Sequence, residues 1–288
     1  MISIPFDPNI TFLGPFTLSW HGFFTFGGVA AAVYLVARFA ERFRIVSNRE
    51  GAEGEEKNLV RNDSEVIYEI ATWAILGGVV GARLFHVIDN WEFYIPNPVT
   101  VLAIWNGGIA LYGAILGGTA TGILYAKFKG YPIGRICDIT APAMLVGQAV
   151  GRIGDIINGE HFSTLSDLPW AWVHSHPNSP AFGRPPSHPA VAYEMIYDLI
   201  LFAILWRLVG RMKPDGMVFL VYLAAYSVGR FFISFVREDR VIFAGLQQAQ
   251  LLALALVILL VPIIIYKIQW VKAASQPDAE KIGEEAQG

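Results

Sequence analysis

Residues 8–37 read PNITFLGPFTLSWHGFFTFGGVAAAVYLVA and contain no aspartate, glutamate, lysine or arginine. A helix needs about 20 consecutive apolar residues to cross the hydrocarbon core of a bilayer. We therefore predict a first membrane-spanning helix at residues 18–37. No lysine or arginine precedes this run, so it lacks the basic start of a cleaved signal peptide and is expected to stay in the chain.

The composition of the whole chain is typical of a membrane protein. Of its 288 residues, 54% are hydrophobic and only 16% are charged, which is too apolar a balance for an ordinary water-soluble domain. The net charge of -3 argues against nucleic acid as a partner, because nucleic-acid-binding domains are usually basic. The single cysteine, Cys137, excludes an internal disulfide and dithiol redox chemistry.

Six further apolar segments follow the first one. Backbone groups in hydrocarbon must be hydrogen-bonded internally, so each segment is predicted to be a helix. The predicted fold is all-α and polytopic, with about seven transmembrane helices in the lipid bilayer. Their expected ranges are 18–37, 66–87, 103–126, 136–156, 190–206, 216–236 and 246–266.

Basic residues concentrate on alternate connections between these helices, where 15 of the 21 lysines and arginines lie. Such connections stay in the cytoplasm. This distribution predicts an N-terminus outside and a C-terminus inside, with residues 1–273 as one transmembrane domain and 274–288 as a polar cytoplasmic tail. The loop 158–189 would be external, and its prolines and tryptophans favour an ordered cap at the outer interface.

Charged residues interrupt the second, fourth, fifth and sixth predicted helices. A charge at the bilayer centre costs about 2.5–3.5 kcal/mol, so it persists where it faces a partner, water or a charged ligand. We therefore expect the functional site among these helices. The residues concerned are Glu69, Arg83, Asp138, Arg152, Asp155, Glu194, Asp198 and Arg230.

One pair of these residues has both a structural and a functional interpretation. Arg152 and Asp155 are three apart and share a helix face. They either form a single ion pair beside a helix end capped at Asn158 and Gly159, or they belong to a binding site. The spacing alone leaves both interpretations open.

A second pair, Arg230 and Arg237, lies two turns apart along one face. Two guanidinium groups on one stripe repel each other unless an anion lies between them, and the planar fork of arginine suits phosphate. In the structural alternative, Arg237 extends to the outer interface while Arg230 pairs with Glu194 or Asp198.

Metal and cofactor chemistry is not predicted. The histidines of the 158–189 loop do not form a tetrahedral zinc set. The motif His-Glu-x-x-His and an aspartate cluster suited to Mg²⁺ and a pyrophosphate are both missing from the sequence. Arg83 and His86 are expected to form a structural pair. What remains is an arginine-rich site that would bind a lipid phosphate without a metal.

The segment 151–160, GRIGDIINGE, resembles the signature of the prolipoprotein diacylglyceryl transferase family, which usually reads GRxGNFxNxE. The resemblance also includes SWHG at 19–22 and WNGGIALYG at 105–113. Near the C-terminus it includes His188-Pro189 with Tyr193-Glu194, and Gly229-Arg230 to Arg237. These motifs stand in the family's order and extend over nearly the whole chain.

This resemblance implies a transferase of the bacterial inner (cytoplasmic) membrane with its active site toward the outer leaflet. It would transfer the sn-1,2-diacylglyceryl group of phosphatidylglycerol to the lipobox cysteine of a preprolipoprotein signal peptide, the first step of lipoprotein maturation. Glycerol phosphate would be released, and neither cofactor nor metal would be needed. Guanidinium groups would stabilise the charge that the phosphate gains as its carbon–oxygen bond breaks.

By motif match, the resemblance implies that Arg152 and Arg237 hold the headgroup, with Arg237 counted among the catalytic residues. The other residues placed at the substrate are Asp155, Asn158, Glu160, Tyr193, Glu194 and Arg230.

Two departures from the family pattern concern activation of the thiol. Tyr112 stands where the family usually has histidine, and His21 stands where it usually has tyrosine. We hypothesise that the two have exchanged positions and remain neighbours in space, so both are candidate catalytic residues. His21→Ala and Tyr112→Phe would each lower activity about tenfold or more. Asp155 replaces the usual asparagine and would weaken phosphate binding unless it pairs with another cation.

An alternative function from another class is an anionic-phospholipid binding or transport protein without transferase activity, because an arginine stripe beside glycine-rich helices would serve either purpose. The two differ in acceptor dependence. An enzyme releases glycerol phosphate only when a peptide with a free lipobox cysteine is present, whereas a carrier never does.

Overall fold

The computed structural model describes residues 1–13, 16–45, 62–103 and 107–271. Within these ranges the protein is mostly helical, with seven long helices and one short one. The long helices are α1 (Trp20–Phe43), α2 (Asp63–Asp89), α4 (Leu111–Phe128), α5 (Ile133–Asn158), α6 (Ala190–Leu208), α7 (Met217–Ile233) and α8 (Gln248–Lys267), and the short one is α3 (Trp91–Tyr94).

Each predicted span overlaps one of the long helices, so the predicted helical segments are confirmed. By length and apolar composition, four helical segments in the described part of the chain could cross a membrane: α1, α2, α8, and α7 with the turn that follows it. The helices α5 and α6 are not among these four, because they contain several charged residues.

The third predicted helix begins later than expected, at Leu111 instead of residue 103. Gly107 and Gly108 have φ values of 81° and 80°, in the left-handed region that interrupts a helix. The buried Arg83 side chain fixes this segment by donating hydrogen bonds to carbonyl groups, including those of Gly107 and Gly108, both at 2.8 Å. Trp105 and Asn106, which belong to one of the sequence motifs, lie outside the described residues.

Glycines bring two helix pairs into backbone contact. In the α1–α5 pair, a Cβ atom added to Gly28 would lie 2.4 Å from the carbonyl oxygen of Gly147. In the α2–α4 pair, a Cβ atom on Gly81 would lie 2.3 Å from the carbonyl oxygen of Gly113. Small residues allow this close approach of helices, which stabilises helix pairs in lipid through van der Waals contact.

The remaining helices pack around the α1–α5 pair. The helix α6 packs against α5, α7 packs between α5, α6 and α8, and α2 joins the α2–α4 pair to α1. A buried apolar core fills the space between α1, α5, α6 and α7. Its fully buried members include Ala37, Ala40, Ile139, Leu145, Leu205 and Val218.

Short strands tie the ends of the helices together in two-stranded sheets. Strand β1 (Ile2–Ile4) pairs in parallel with β4 (Trp172–His174), and β5 (Met212–Lys213) pairs with β8 (Gln269–Trp270) in antiparallel fashion. The other sheets join consecutive strands. These are β2 (Asn9–Leu13) with β3 (Phe16–Ser19), and β6 (Val241–Phe243) with β7 (Leu246–Gln247).

The bundle therefore has two chemically different ends. At one end, which we call the basic end, β5 and β8 meet and Arg135 Nε lies 2.9 Å from Asp215 Oδ2. At the other end, the loop end, residues 158–189 contact β1 and the connection after α7, where the Thr164 amide donates to the Val236 carbonyl at 3.0 Å. The amino end of α1 and the carboxyl ends of α5 and α7 come together at the loop end.

Candidate active site

The last turns of α5 supply the centre of a charged cluster at the loop end. Arg152 and Asp155 share a face, as predicted, and their side chains pair at 2.7 Å. Gly159 then adopts φ 75° and caps the helix, so the expected helix end is also confirmed. Asp155 is only 7% exposed, and Arg152 is 20% exposed.

Glu194 on α6 holds three arginines together. Its carboxylate lies 2.6 Å from Arg152 Nη2 and 3.5 Å from Arg237 Nη1, and it also pairs closely with Arg230 Nη1. Three guanidinium groups around one carboxylate repel one another, and burial strengthens that repulsion because low dielectric screens it little. The Glu194 carboxylate therefore sets the geometry of the whole cluster.

These contacts test the structural alternative that was stated for Arg230 and Arg237. Arg230 pairs with Glu194, as that alternative expected, and does not pair with Asp198. The expectation that Arg237 extends to the interface is wrong, because its side chain is 5% exposed and is held by Glu194 and Asp239. Arg237 is located after α7, where the chain turns back toward α6.

His21 joins the cluster from α1. Ser19 caps the amino end of α1 by accepting a hydrogen bond from the Gly22 amide at 3.1 Å. The first turn of α1 places His21 Nδ1 2.7 Å from Asp155 Oδ1 and 3.8 Å from Glu160 Oε1. Asp155 stands where the family usually has asparagine, and the added carboxylate was expected to need a second cationic or donor partner. His21 is that partner, in addition to Arg152.

Two members of the cluster, His161 and Asp239, were not predicted from the sequence as site residues. His161 Nε2 lies 3.5 Å from Asp155 Oδ2, and its Nδ1 lies 3.2 Å from Arg237 Nη2. Asp239 pairs with Arg237 at 3.0 Å and with Arg230 at 3.6 Å. His161 follows Glu160 directly and Asp239 lies two residues after Arg237, and this proximity in the sequence could have indicated that both belong to the site.

The 158–189 loop is hydrogen-bonded to the end of α5. His174 Nε2 lies 2.9 Å from the carbonyl oxygen of Ile156, and the Ser179 hydroxyl donates to the carbonyl of Asn158 at 3.0 Å. Asn158, a predicted substrate residue, is the last residue of α5. Burial lowers the pKa of His174, which favours the neutral imidazole in this loop.

Tyr193 connects the loop to the start of α6, one residue before Glu194. Its hydroxyl accepts a hydrogen bond from Trp170 Nε1 at 2.8 Å and lies 3.4 Å from His188 Nδ1. The ordered contacts of Trp170 and of β4 agree with the expectation that this loop forms a cap.

Tyr112 is placed apart from the cluster. It is the second residue of α4, its side chain is about half exposed, and α4 packs mainly against α2. Between described residues, no hydrogen bond or ion pair joins Tyr112 to His21 or to the arginines. The structure therefore provides no contact for the predicted Tyr112–His21 pair, and the roles of both residues stay predictions.

The spacing of one group of side chains would permit a metal ion. His21, Asp155 and Glu160 place one ligand atom each within 4.8 Å of one another. Two of these atoms already form the His21–Asp155 contact, and the Arg152 guanidinium lies 2.7 Å from the same carboxylate, which disfavours a second cation there. The expectation of a metal-free site stays a prediction.

The described geometry defines a class of protein. It is a mostly helical membrane protein whose buried arginines converge at one end of the bundle, where they are suited to bind an anionic group.

Comparison with known proteins identifies the family. A family model described as prolipoprotein diacylglyceryl transferase matches residues 8–266. A phosphatidylglycerol–prolipoprotein diacylglyceryl transferase of Trichormus variabilis is 33% identical over 260 residues, covering 86% of this chain and 84% of the relative. Proteins with the same name from Gloeobacter violaceus (32% identical, 88% and 89% covered) and Dehalococcoides mccartyi (31% identical, 96% and 99% covered) are also similar.

The chain therefore belongs to the prolipoprotein diacylglyceryl transferase family. This confirms the resemblance inferred from the sequence and assigns the protein to the membrane-embedded transferases of lipoprotein biosynthesis.

Proposed function

We propose that this protein transfers the sn-1,2-diacylglyceryl group of phosphatidylglycerol to the lipobox cysteine of a bacterial preprolipoprotein and releases glycerol phosphate. The observation that carries the proposal is the cluster of Arg152, Arg230 and Arg237 around the single carboxylate of Glu194. We infer the substrates from the names of the similar proteins and the chemistry from the arginine cluster.

The charge of the cluster suits a phosphodiester. The three arginines form ion pairs with two carboxylates that are 7% exposed or less, Asp155 and Glu194, so the guanidinium groups outnumber these buried ion-pair partners by one. Asp239 and Glu160 are 39% and 42% exposed and lie at the rim, where water screens their charge. A phosphatidylglycerol headgroup carries one negative charge at its phosphate, so it neutralises the buried excess.

Transition-state stabilisation follows from the same arrangement. Attack on the glyceryl carbon breaks its bond to the phosphate oxygen, and the departing glycerol phosphate becomes a dianion. The arginines are held by Glu194, Asp155 and Asp239 before substrate arrives, so little reorganisation is needed as this charge develops. In this proposal Arg152, Arg230 and Arg237 hold the phosphate, and Glu194 positions them.

The other predicted substrate residues border the cluster. Asn158 and Glu160 follow Asp155 at the end of α5, and Tyr193 precedes Glu194 on α6. We assign to them the orientation of the lipid glycerol and of the peptide. The base that activates the cysteine thiol is Tyr112, His21 or another residue.

We further propose seven membrane spans, an outside N-terminus and a cytoplasmic C-terminus. The alternation of helix ends supports this topology, because β1 and the 158–189 loop meet at the loop end while β5 and β8 meet at the basic end. Described basic residues such as Arg135 and Lys213 lie at the basic end, which by the positive-inside rule would be cytoplasmic. The arginine cluster would then face the outer leaflet of the inner membrane.

An assay with purified protein tests the proposed function. Vesicles containing phosphatidylglycerol are mixed with a lipobox peptide, and glycerol phosphate release and peptide mass are measured together. We expect release only with the cysteine peptide and none with its Cys→Ser version. Arg152→Ala and Arg237→Ala should each lower turnover about 100-fold or more, since each removes a charged donor to the transition state. Arg207→Ala, at the basic end, is the matched control.

The competing function predicts a different result in the same assay. An anionic-lipid carrier would bind phosphatidylglycerol through the arginines and yet release no glycerol phosphate with any peptide. Binding without acceptor-dependent release would contradict the transferase proposal.

A further inference from the structure

Asp155 contacts two histidines, and their hydrogen bonds differ in a way that bears on thiol activation. A cysteine thiol has an ordinary pKa near 8.5, so only a small fraction is thiolate at neutral pH and a general base is needed. A histidine can serve as that base only if one ring nitrogen keeps a free lone pair. The contacts of His161 and His21 therefore decide which of them is available.

Both ring nitrogens of His161 are engaged. A guanidinium group has donors and no acceptor, so the contact of Arg237 Nη2 with His161 Nδ1 at 3.2 Å requires Nδ1 to accept. The proton of the neutral ring is then on Nε2, which faces Asp155 Oδ2 at 3.5 Å and Glu160 Oε1 at 3.9 Å. His161 has no nitrogen left to take a proton from a substrate.

His21 has the opposite arrangement. Its Nδ1 lies 2.7 Å from Asp155 Oδ1, and a carboxylate only accepts, so Nδ1 carries the proton. The lone pair is then on Nε2, which has no hydrogen-bond or ion-pair partner in the part of the chain that the structure describes. The His21 side chain is 42% exposed, so a substrate group can reach it.

We infer that His21 is the general base of the reaction, held in the required tautomer by Asp155, and that Tyr112 is not. This inference rests on the proposed transferase function and names the residue that the function leaves open. The arrangement is that of a carboxylate–histidine pair in which the carboxylate fixes the ring and stabilises the imidazolium that forms. Glu160, 3.8 Å from His21 Nδ1, adds to that stabilisation.

The chemical step balances without an added reactant. His21 Nε2 takes the proton of the cysteine thiol, and the sulfur attacks the glyceryl carbon that is bonded to the phosphate oxygen. A carbon–sulfur bond forms, the carbon–oxygen bond breaks, and its electron pair goes to the phosphate oxygen. The imidazolium then returns its proton to the departing glycerol phosphate or to water, so the enzyme is restored.

Asp155 links the two halves of this step as a positioning residue. Its Oδ1 orients His21, and its Oδ2 lies 2.7 Å from Arg152 Nη1, one of the proposed phosphate ligands. One carboxylate thus fixes the distance between the group that generates the nucleophile and a group that holds the leaving group. Correct spacing of reacting groups is itself a large contribution to rate.

The decisive variant is His21→Asn. The asparagine side-chain nitrogen matches the position of Nδ1 and can still donate to Asp155, but nothing replaces Nε2. We expect kcat to fall about 100-fold or more, with the KM for phosphatidylglycerol unchanged within about twofold and the thermal stability retained. His176→Asn, in the loop and away from the cluster, is the control for the same chemical change.

Rescue by imidazole separates a missing base from a damaged structure. In His21→Ala, added imidazole should restore part of the acceptor-dependent release, whereas a purely structural role of His21 gives no rescue. Wild-type kcat in His21→Asn would overturn the inference, and so would the absence of rescue in a folded His21→Ala. Failure of the wild-type protein to release glycerol phosphate would instead reject the proposed function, so the two failures are distinguishable.

Discussion

The α1–α5 pair and the α2–α4 pair use the same packing device for different purposes. In both, glycines remove side chains from the interface so that one backbone touches the other. The α1–α5 contact continues to the loop end, where a Cβ atom on Gly154 would lie 2.8 Å from the Cα atom of His21. The α2–α4 contact ends near Tyr112 and the segment that Arg83 holds, and no described ion pair joins it to the arginine cluster.

Close packing of two helices contributes to function where it fixes the position of reacting groups. Two helices in backbone contact have a fixed register, because neither can slide without collision. In the α1–α5 pair that register determines the contact of His21 with Asp155, so stability and chemistry depend on the same interface. In the α2–α4 pair, no contact between described residues makes the arginine cluster depend on the register. Perturbing each pair should therefore have distinct consequences.

The largest expected effect comes from the residue that joins α6 to the α1–α5 pair. Glu194→Gln keeps the shape of the side chain and removes the charge that three arginines share. Because it leaves guanidinium groups buried and uncompensated, we expect the free energy of unfolding to fall by about 3–5 kcal/mol. Chemical denaturation in detergent micelles measures this quantity.

The control for this variant is Glu92→Gln on the exposed helix α3, next to the α2–α4 pair. A surface substitution of this kind should change the free energy of unfolding by less than about 0.5 kcal/mol. Added glycerol phosphate should destabilise neither protein and should partly stabilise Glu194→Gln, because the anion replaces the lost charge. Equal stabilities of the two variants would contradict the shared role of Glu194.

Alanine at one glycine of each pair gives the next largest effect and compares the two pairs directly. Gly81→Ala and Gly154→Ala both place a Cβ atom against backbone, so each should lower the free energy of unfolding by about 1–3 kcal/mol. Only Gly154→Ala should also lower the turnover of the folded fraction, by about tenfold or more, since it displaces His21 from Asp155.

Gly27→Ala is the matched control, because a Cβ atom on Gly27 meets nothing within 4 Å. It should be neutral or slightly stabilising, as alanine favours helix more than glycine does. If Gly81→Ala lowered specific turnover as strongly as Gly154→Ala, the proposed division between the two pairs would be incorrect.

The smallest expected effect concerns His174, which caps the α5 half of the α1–α5 pair. Burial lowers its pKa in the folded protein, so the unfolded chain binds this proton more readily. The contribution of His174 to the free energy of unfolding is fully present above the pKa of about 6.5 that the histidine has in the unfolded chain. This contribution is lost as the pH falls from there through the lower pKa of His174 in the folded protein. The melting temperature should decline on this account between pH 7 and pH 5.

Replacing His174 with an uncharged donor tests the origin of that decline. His174→Gln can still donate to the Ile156 carbonyl and does not titrate, so the melting temperature should depend less on pH than in the unchanged protein. His176→Gln, a less buried histidine of the same loop, should keep the full dependence. Identical pH dependence in all three proteins would exclude His174 as the titrating group.

The sequence predicted the helices and much of the cluster because both leave local patterns. Long apolar runs give the positions of the seven long helices, and charges within such runs identify Arg152, Asp155, Glu194 and Arg230 as residues that need partners. The late start of α4 was not predicted, because it depends on Arg83 binding carbonyl groups about 17 to 25 residues further along the chain.

Which partners the charges choose is a property of tertiary structure. Glu194 and Asp198 share a helix face and were equivalent as partners of Arg230 in the sequence, yet only Glu194 contacts it. The contact of His21 with Asp155 spans 134 positions and depends on the register of α1 against α5. No periodicity reports such a register. His161 and Asp239 lie outside the predicted helices, so the search for charges within apolar runs did not identify them.

The parallel pairing of β1 with β4 has a consequence for biogenesis. Residues 2–4 leave the ribosome well before their partners at 172–174, which are synthesised only after α1, α2, α4 and α5. Strand β1 must therefore wait, unpaired, until α5 and the segment that contains β4 have been made. Closure of this sheet is therefore a late step of assembly, and a bulky insertion beside β1 would obstruct it.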